Sequence, residues 1–138
     1  MKYMTIICSI LVLNCTLLAQ VKPYNINNCV TEFSMEKTES TNAGYQFWFV
    51  NRTFTGDGKT LKLMVAAPGK GMHEEPHKHE EDKFFFILEG EAEFYLDGSI
   101  KTVGPYTSLY CPANVMHRIR NTGKTDLKYL VIRQYPLN

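Results

Sequence analysis

The chain has 138 residues, of which 44% are hydrophobic, 15 are lysine or arginine and 14 are aspartate or glutamate. This length supports one globular domain with its own core and is too short for two. The near balance of charge argues against a nucleic-acid partner, which would need a basic surface.

The first residues have the pattern of a signal peptide. Lys2 precedes an apolar run from residue 6 to 18, and Ala19 offers a small residue for cleavage. The run is shorter than the roughly 20 apolar residues of a membrane-spanning helix. We therefore expect residues 1–19 to be removed and the domain to be secreted or periplasmic, with no membrane association after cleavage. Loss of Lys2 from the 15 basic residues leaves 14 against 14 acidic ones.

Cleavage would leave two cysteines, Cys29 and Cys111. In an oxidising compartment these can form a disulfide, or they can remain as two buried free thiols. Their spacing in the sequence does not decide between the two.

The rest of the chain divides into an N-terminal arm, residues 20–43, and a barrel domain, residues 44–138. The barrel domain carries short β-prone segments punctuated by glycine, proline and asparagine, at 45–50, 61–65, 84–88, 92–96, 100–103, 107–111, 117–120 and 127–135. No segment has the pattern of a long helix. Short strands at this spacing predict an all-β, mostly antiparallel sandwich or barrel.

Two local patterns refine this prediction. Asp97-Gly98 is a strong signal for a two-residue hairpin turn. Residues 84–88 are apolar at every position, which predicts a strand buried on both faces, one of which can be a homodimer interface.

A barrel of this kind has a pocket at its mouth, and the alternation of side chains along the strands suggests Tyr45, Phe47 or Tyr106 as residues that line it.

All four histidines lie in two short segments, with His73, His77 and His79 in the first and His117 in the second. Imidazole is the commonest protein ligand for transition metals, and residues 77 and 79 share one face of an extended strand. This clustering predicts a metal site. Eight carboxylates lie between residues 74 and 93, against two lysines, and they predict an acidic rim around the site.

The first histidine segment resembles the first motif of the cupin family, G-x5-H-x-H-x3-E-x6-G. Gly71, His77, His79 and Gly90 match it with the correct spacing. Lys83 stands where the family has glutamate.

The second segment resembles the second cupin motif, G-x5-P-x-G-x2-H-x3-N. Pro112, His117 and Asn121 match it, while Asn114 replaces the inner glycine and Gly104 lies two residues too far upstream. Asparagine adopts the left-handed backbone conformation more readily than most residues, so this exchange is mild.

The resemblance implies a double-stranded β-helix, or jelly roll, in which both motifs reach one barrel mouth. His77, His79 and His117 would then bind a divalent metal such as iron, manganese or zinc. His73 matches no motif position and is interpreted as a loop residue near the site.

Lys83 leaves three outcomes open. The three histidines can bind a metal with water completing the coordination. Glu81 can replace the missing glutamate if the strand is extended through residues 77 to 83. Alternatively the metal is lost, and Lys83 bonds a carboxylate of a ligand or of a neighbouring residue.

By the resemblance, the protein is expected to bind a small organic molecule, as cupin dioxygenases, decarboxylases and isomerases do. Whether it is an enzyme stays open; if so, we expect a metal-dependent, dioxygenase-like oxidoreductase in which Lys83 or Glu81 acts as an acid, a base or a substrate clamp. The rival hypothesis is a non-catalytic binding protein for a sugar or a phenolic compound, with a degenerate metal site.

Overall fold

The computed structural model of the protein describes residues 24–136. The predicted signal peptide lies outside this range. Among the described residues, no helix has the length and apolar character needed to cross a membrane.

Most of the regular secondary structure in the described residues is β-strand. Its two helical pieces are one turn of α-helix, α1 (Ile26–Cys29), and one turn of 3-10 helix (Met35–Lys37). The strands are β1 (Glu39–Ser40), β2 (Gly44–Val50), β3 (Lys59–Ala66), β4 (Lys83–Glu89), β5 (Ala92–Leu96), β6 (Ser99–Val103), β7 (Ser108–Cys111), β8 (His117–Asn121) and β9 (Leu127–Gln134).

The strands form two antiparallel sheets that pack face to face. The first has the order β1-β2-β3-β9-β4-β7, and the second has the order β6-β5-β8. Phe85 and Tyr129 of the first sheet and Phe94 and Ile119 of the second belong to one buried core. This arrangement confirms the predicted all-β, mostly antiparallel jelly roll.

The turn between β5 and β6 has the predicted form. Leu96 pairs with Ser99, so the loop contains only Asp97 and Gly98. Both residues have positive φ, 45° and 85°, as a type I′ hairpin turn requires.

Within the single chain, residues 84–88 are buried on one face only, and burial of the other face would need the homodimer interface that the sequence suggests. Phe85 and Ile87 point inward and are 6% and 0% exposed, whereas Phe84 is 46% exposed. Alternate side chains of a strand point to opposite faces, and no described part of the same chain covers the outer face at Phe84.

The N-terminal arm is attached to the first sheet. Its strand β1 pairs with β2, and Ala43 belongs to the core. The ring of Phe33 packs on Phe47, with ring centroids 5.2 Å apart. The arm therefore covers part of the outer face at β2.

The two cysteines remain unpaired, so a disulfide between them is not formed. Cys29 is exposed at the end of α1, whereas Cys111 is buried in β7. Cys111 faces the core while Cys29 lies on the surface, which keeps the two apart. The alternative of two buried thiols holds for Cys111 only, whose burial raises its pKa to about 12.

Candidate metal and ligand site

Backbone hydrogen bonds hold the two histidine segments together. His77 and His117 exchange two such bonds, of 3.0 and 2.8 Å, in an isolated antiparallel bridge. The Asn114 amide donates to the His79 carbonyl at 2.7 Å, with Asn114 at φ 62°. The left-handed turn at Asn114, expected from the sequence, thus fixes the position of His79.

Two other motif residues support this arrangement. A Cβ atom on Gly71 would lie 2.7 Å from the Ile119 carbonyl oxygen, so the loop can approach β8 closely only with glycine there. Asn121 is fully buried, and its amide donates to the carbonyls of Ala66 and Thr125, both at 2.8 Å. These contacts connect β8 to the end of β3 and to the loop before β9.

Three histidines converge inside the barrel. One ring nitrogen each from His77, His79 and His117 lies within 4.8 Å of the others. Because a metal with nitrogen ligands at about 2.1 Å holds any two of them no more than about 4.2 Å apart, the widest pair would move slightly closer on binding. His73 lies outside this group, although its ring packs on that of His77 with centroids 3.8 Å apart.

The unpaired ring nitrogens fit a metal. Nδ1 of His77 and Nε2 of His79 and His117 are buried without a hydrogen-bond partner among the described residues. His117 Nδ1 lies 2.9 Å from the Val115 carbonyl oxygen. A carbonyl can only accept, so Nδ1 carries the proton and Nε2 keeps a free lone pair. This arrangement is typical of a histidine that binds a metal.

Burial keeps these histidines neutral, as metal coordination requires. It lowers the pKa of His77 to about 4, with the nearby His73 and His117 adding to the effect. It lowers the pKa of His79 to about 3, assisted by the positive charges of Lys83 and Arg133. The pKa of His117 is also lowered, mainly by burial.

The contact between Arg133 and His79 disfavours metal binding through Nε2 of His79. Its terminal nitrogen Nη2 lies 3.4 Å from His79 Nδ1 and also forms an ion pair with Glu81. Arginine can only donate, so this contact favours the tautomer with the proton on Nε2. Coordination through Nε2 would need the other tautomer, and the 3.4 Å separation is long enough for Arg133 to withdraw at little cost.

The histidines face a cavity of about 110 Å³ between the two sheets. Its wall combines eight apolar or aromatic residues with four histidines, four lysine or arginine residues and one threonine. It is lined by Trp48, Thr60, Lys62, Met64, Met72, His73, His77, His79, Lys83, Phe85, His117, Arg118, Ile119, Tyr129, Val131, Arg133 and Tyr135.

The wall of this cavity is basic, whereas the sequence predicted an acidic rim around the site. Lys62, Lys83, Arg118 and Arg133 line it, and the described residues contribute no carboxylate to its wall. Acidic residues such as Glu74 instead line the groove outside the mouth. Their number in the segment gave no information on which way each side chain points.

Lys83 is buried in this wall. It is 7% exposed and has no hydrogen-bond or ion-pair partner within residues 24–136. Burial lowers its pKa to about 8. It therefore remains largely protonated at neutral pH, as an unpaired cation close to the histidines.

Glu81 does not share the histidine face. The chain bends at Glu80 and Glu81, and the regular strand begins only at Lys83. The Glu81 side chain pairs with Arg133 and lines a separate surface pocket. The extended strand that would have brought Glu81 to the metal is interrupted by this bend.

The sequence did not identify the other residues of the cavity wall. On β2 it is Trp48 that faces the cavity, whereas Phe47 is on the outer face and Tyr106 is 83% exposed. Tyr45, like Phe47, is absent from the wall. Alternation gives two faces of a strand but does not say which one is inside, and the choice for β2 was wrong.

The chain belongs to the cupin domain family, which matches residues 62–133. It is similar to mannose-1-phosphate guanylyltransferase of Escherichia coli, with 31% identity over 78 residues, which are 56% of this chain and 16% of that protein. It is also similar to 5-nitrosalicylic acid 1,2-dioxygenase of a Bradyrhizobium species, with 33% identity over 61 residues, 44% of this chain and 30% of that protein.

Solved structures share the fold. A predicted oxalate decarboxylase of Thermotoga maritima superposes with a TM-score of 0.64 at 23% identity, covering 71% of this chain and 91% of that one. The matched segments span less than a third of the two curated relatives. The match with these relatives is thus confined to the cupin barrel.

Proposed function

We propose that the protein binds one divalent metal ion through His77, His79 and His117 and uses the cavity beside it for a small organic ligand. The free lone pair of His117 Nε2, fixed by the Val115 carbonyl, carries this proposal. Iron, manganese and zinc all suit imidazole ligands. A bound metal would supply Lewis-acid or redox chemistry.

The comparisons with known proteins bear on the reaction class. Similarity to a dioxygenase and a fold shared with a predicted oxalate decarboxylase favour an enzyme that acts on a small organic molecule. We propose a metal-dependent, dioxygenase-like activity. Lys83, which faces the cavity, is the candidate acid, base or clamp; Glu81 would act only through Arg133.

Metal analysis of the purified protein tests the proposal. We expect about one transition-metal ion per chain in the wild type and loss of that ion in His77→Ala, because a buried site with two remaining imidazoles binds metal weakly. His73→Ala is the matched control and should retain the metal. Metal at background level in the wild type after incubation with iron, manganese and zinc would contradict the proposal.

A second candidate function is a non-catalytic binding protein with a degenerate metal site. Two observations favour it: Lys83 occupies the position of the family glutamate, and Arg133 lies against the ring nitrogen of His79. A sugar or a phenolic compound would then occupy the cavity without reaction. Binding of such a ligand to protein that takes up no metal would support this candidate.

We also propose that the protein forms a homodimer through the outer face of the six-stranded sheet. Phe84, Tyr110 and Ile132 lie side by side on β4, β7 and β9, each 45–47% exposed. Exposed apolar rows of this kind mark interaction surfaces, and two-fold dimers are the commonest assembly. A second copy can cover the row with the same row.

Light scattering after size exclusion measures this directly. The wild type should have the mass of a dimer at micromolar concentrations, and Phe84→Glu should have the mass of a monomer. Ile100→Glu is the matched control, since Ile100 is 61% exposed on β6 of the other sheet. A monomeric wild type would overturn the proposed dimer.

Export of the domain is a further part of the proposal and rests on residues 1–19 alone.

A further inference from the structure

The cavity contains more positive charge than its own residues neutralise. Of the four cationic residues in the wall, Arg118 is paired with Glu93 at 2.9 Å, and Arg133 is paired with Glu81. Lys62 donates to the Gln46 side chain and lies over the ring of Trp48. Lys83 has no such partner in the part of the chain that the structure describes.

Burial of Lys83 removes part of the hydration of its ammonium group, and no described residue replaces it with a hydrogen bond, which is unfavourable. The pKa of Lys83, lowered to about 8, keeps the group charged at neutral pH despite this penalty. A bound metal ion would add further positive charge to the same space. Residues 24–136 thus supply no counter-charge to Lys83, and a bound ligand could supply one.

Lys83 and Arg133 are neighbours across the sheet. They are register partners on β4 and β9, and both line the cavity. Like charges at directly opposed positions destabilise a sheet. Nε of Arg133 is buried without a partner, in addition to the group that pairs with Glu81. The Lys83 ammonium and Arg133 Nε thus have no partner among the described residues, and both residues line one cavity.

We propose that Lys83 and Arg133 bind the carboxylate of a small organic acid inside the barrel, beside the three histidines. This inference rests on the proposed function for the use of the cavity by a small ligand, but not for the metal. Arginine and lysine together supply the charge-assisted hydrogen bonds that a carboxylate accepts. The carboxylate would neutralise Lys83.

The size and wall of the cavity restrict the rest of the ligand. Its volume, about 110 Å³, is smaller than the roughly 150 Å³ cavity that accommodates benzene. Phe85 and Tyr129 lie on the same two strands as Lys83 and Arg133 and add apolar surface to the cavity. These features favour a short monocarboxylic acid over a sugar or a sugar phosphate, whose several hydroxyl groups would need polar partners.

Titration of the metal-free mature protein with propionate tests this inference. Propionamide, which has the same shape without the charge, is the matched ligand, and inorganic phosphate is the third probe. We expect saturable binding of propionate by calorimetry or NMR shifts at cavity residues, with propionamide at least about tenfold weaker. Equal binding of the two, or a preference for phosphate, would overturn the carboxylate assignment.

Two variants locate the binding group. Lys83→Met should weaken propionate binding by about 10- to 100-fold, since it removes a charged hydrogen bond. Lys101→Met, at an exposed lysine on β6, should leave the affinity unchanged. Arg133→Gln provides an independent second variant and should also weaken binding. Unchanged affinity in both cavity variants would refute the role of these residues.

The outcome is separable from that of the proposed function. If the wild type binds no metal, the metal proposal fails, while the propionate titration of the metal-free protein still decides this inference. If metal binds but propionate does not, in either the metal-free or the metal-loaded protein, only this inference fails.

Discussion

Replacement of Lys83 by glutamate is expected to tighten metal binding at the three histidines by on the order of 10–100-fold. Lys83 lines the cavity with the three histidines and brings an unpaired positive charge to it. The substitution removes this charge and supplies a carboxylate at the position where the cupin motif has one. Competition titration with a chromophoric chelator would measure the difference.

Lys83→Gln separates the two contributions to this effect. It removes the charge without adding a strong ligand, so its affinity should lie between those of the wild type and Lys83→Glu. Unchanged affinity in Lys83→Glu would mean that the side chain at position 83 does not reach the metal, and that the cavity charge acts on something else.

Replacement of Lys83 by methionine is expected to increase the stability of the metal-free protein at pH 7 by on the order of 1–3 kcal/mol. Lys83 is 7% exposed, and its pKa is lowered from 10.5 to about 8. Keeping this group charged therefore lowers the stability of the folded state. Methionine has a similar length and fills the same space without this cost. A gain of this size would raise the melting temperature by at least about 4 °C.

The pH dependence of the stability difference between the two proteins shows whether the charge of Lys83 causes it. Below about pH 8, Lys83 is protonated in both the folded and the unfolded state, so the full penalty is present. Between pH 8 and 10.5 the unfolded state binds more protons, and the stability of the wild type rises relative to the variant. The advantage of Lys83→Met should therefore shrink over this range.

Comparison with the variant is needed because Cys111 titrates in the same region. Burial raises its pKa to about 12, which reduces stability as the pH rises above its ordinary value. Lys83 itself lowers the pKa of its register partner Cys111, so this contribution cancels only in part in the difference. Denaturation should be measured in a buffer without carboxylates. A variant that is less stable than the wild type at pH 7 would show that Lys83 is compensated within the fold.

If both results hold, Lys83 reduces the stability of the domain and weakens its metal site, and it is nevertheless placed in the middle of the cavity wall. A residue with two such costs is expected to serve ligand binding. The carboxylate inference provides that role.

The strands of the barrel could be predicted from the sequence because their signals are local. Asp97-Gly98 forms the expected turn since both residues tolerate positive φ, and the β-prone segments correspond to β2 through β9 within a few residues. The histidine positions followed from the family motifs, which encode the contacts of Gly71 and Asn121.

The sequence could not show which way each side chain points. Trp48 and Phe47 are equally hydrophobic, and only the pairing of β2 with β3 decides that Trp48 faces the cavity. The acidic residues near the histidines appeared to make the site negative, but Glu81 turns away at a bend and pairs with Arg133. Arg133 lies more than 50 residues from His79 in sequence, and no local pattern connects the two.

The most direct test of the metal proposal is an anomalous difference map from crystals of the metal-loaded protein, collected on both sides of the absorption edge of the metal. The proposed site predicts one strong peak in the barrel, bonded by one ring nitrogen each from His77, His79 and His117. A peak on other residues only, or no peak in the barrel, would contradict it.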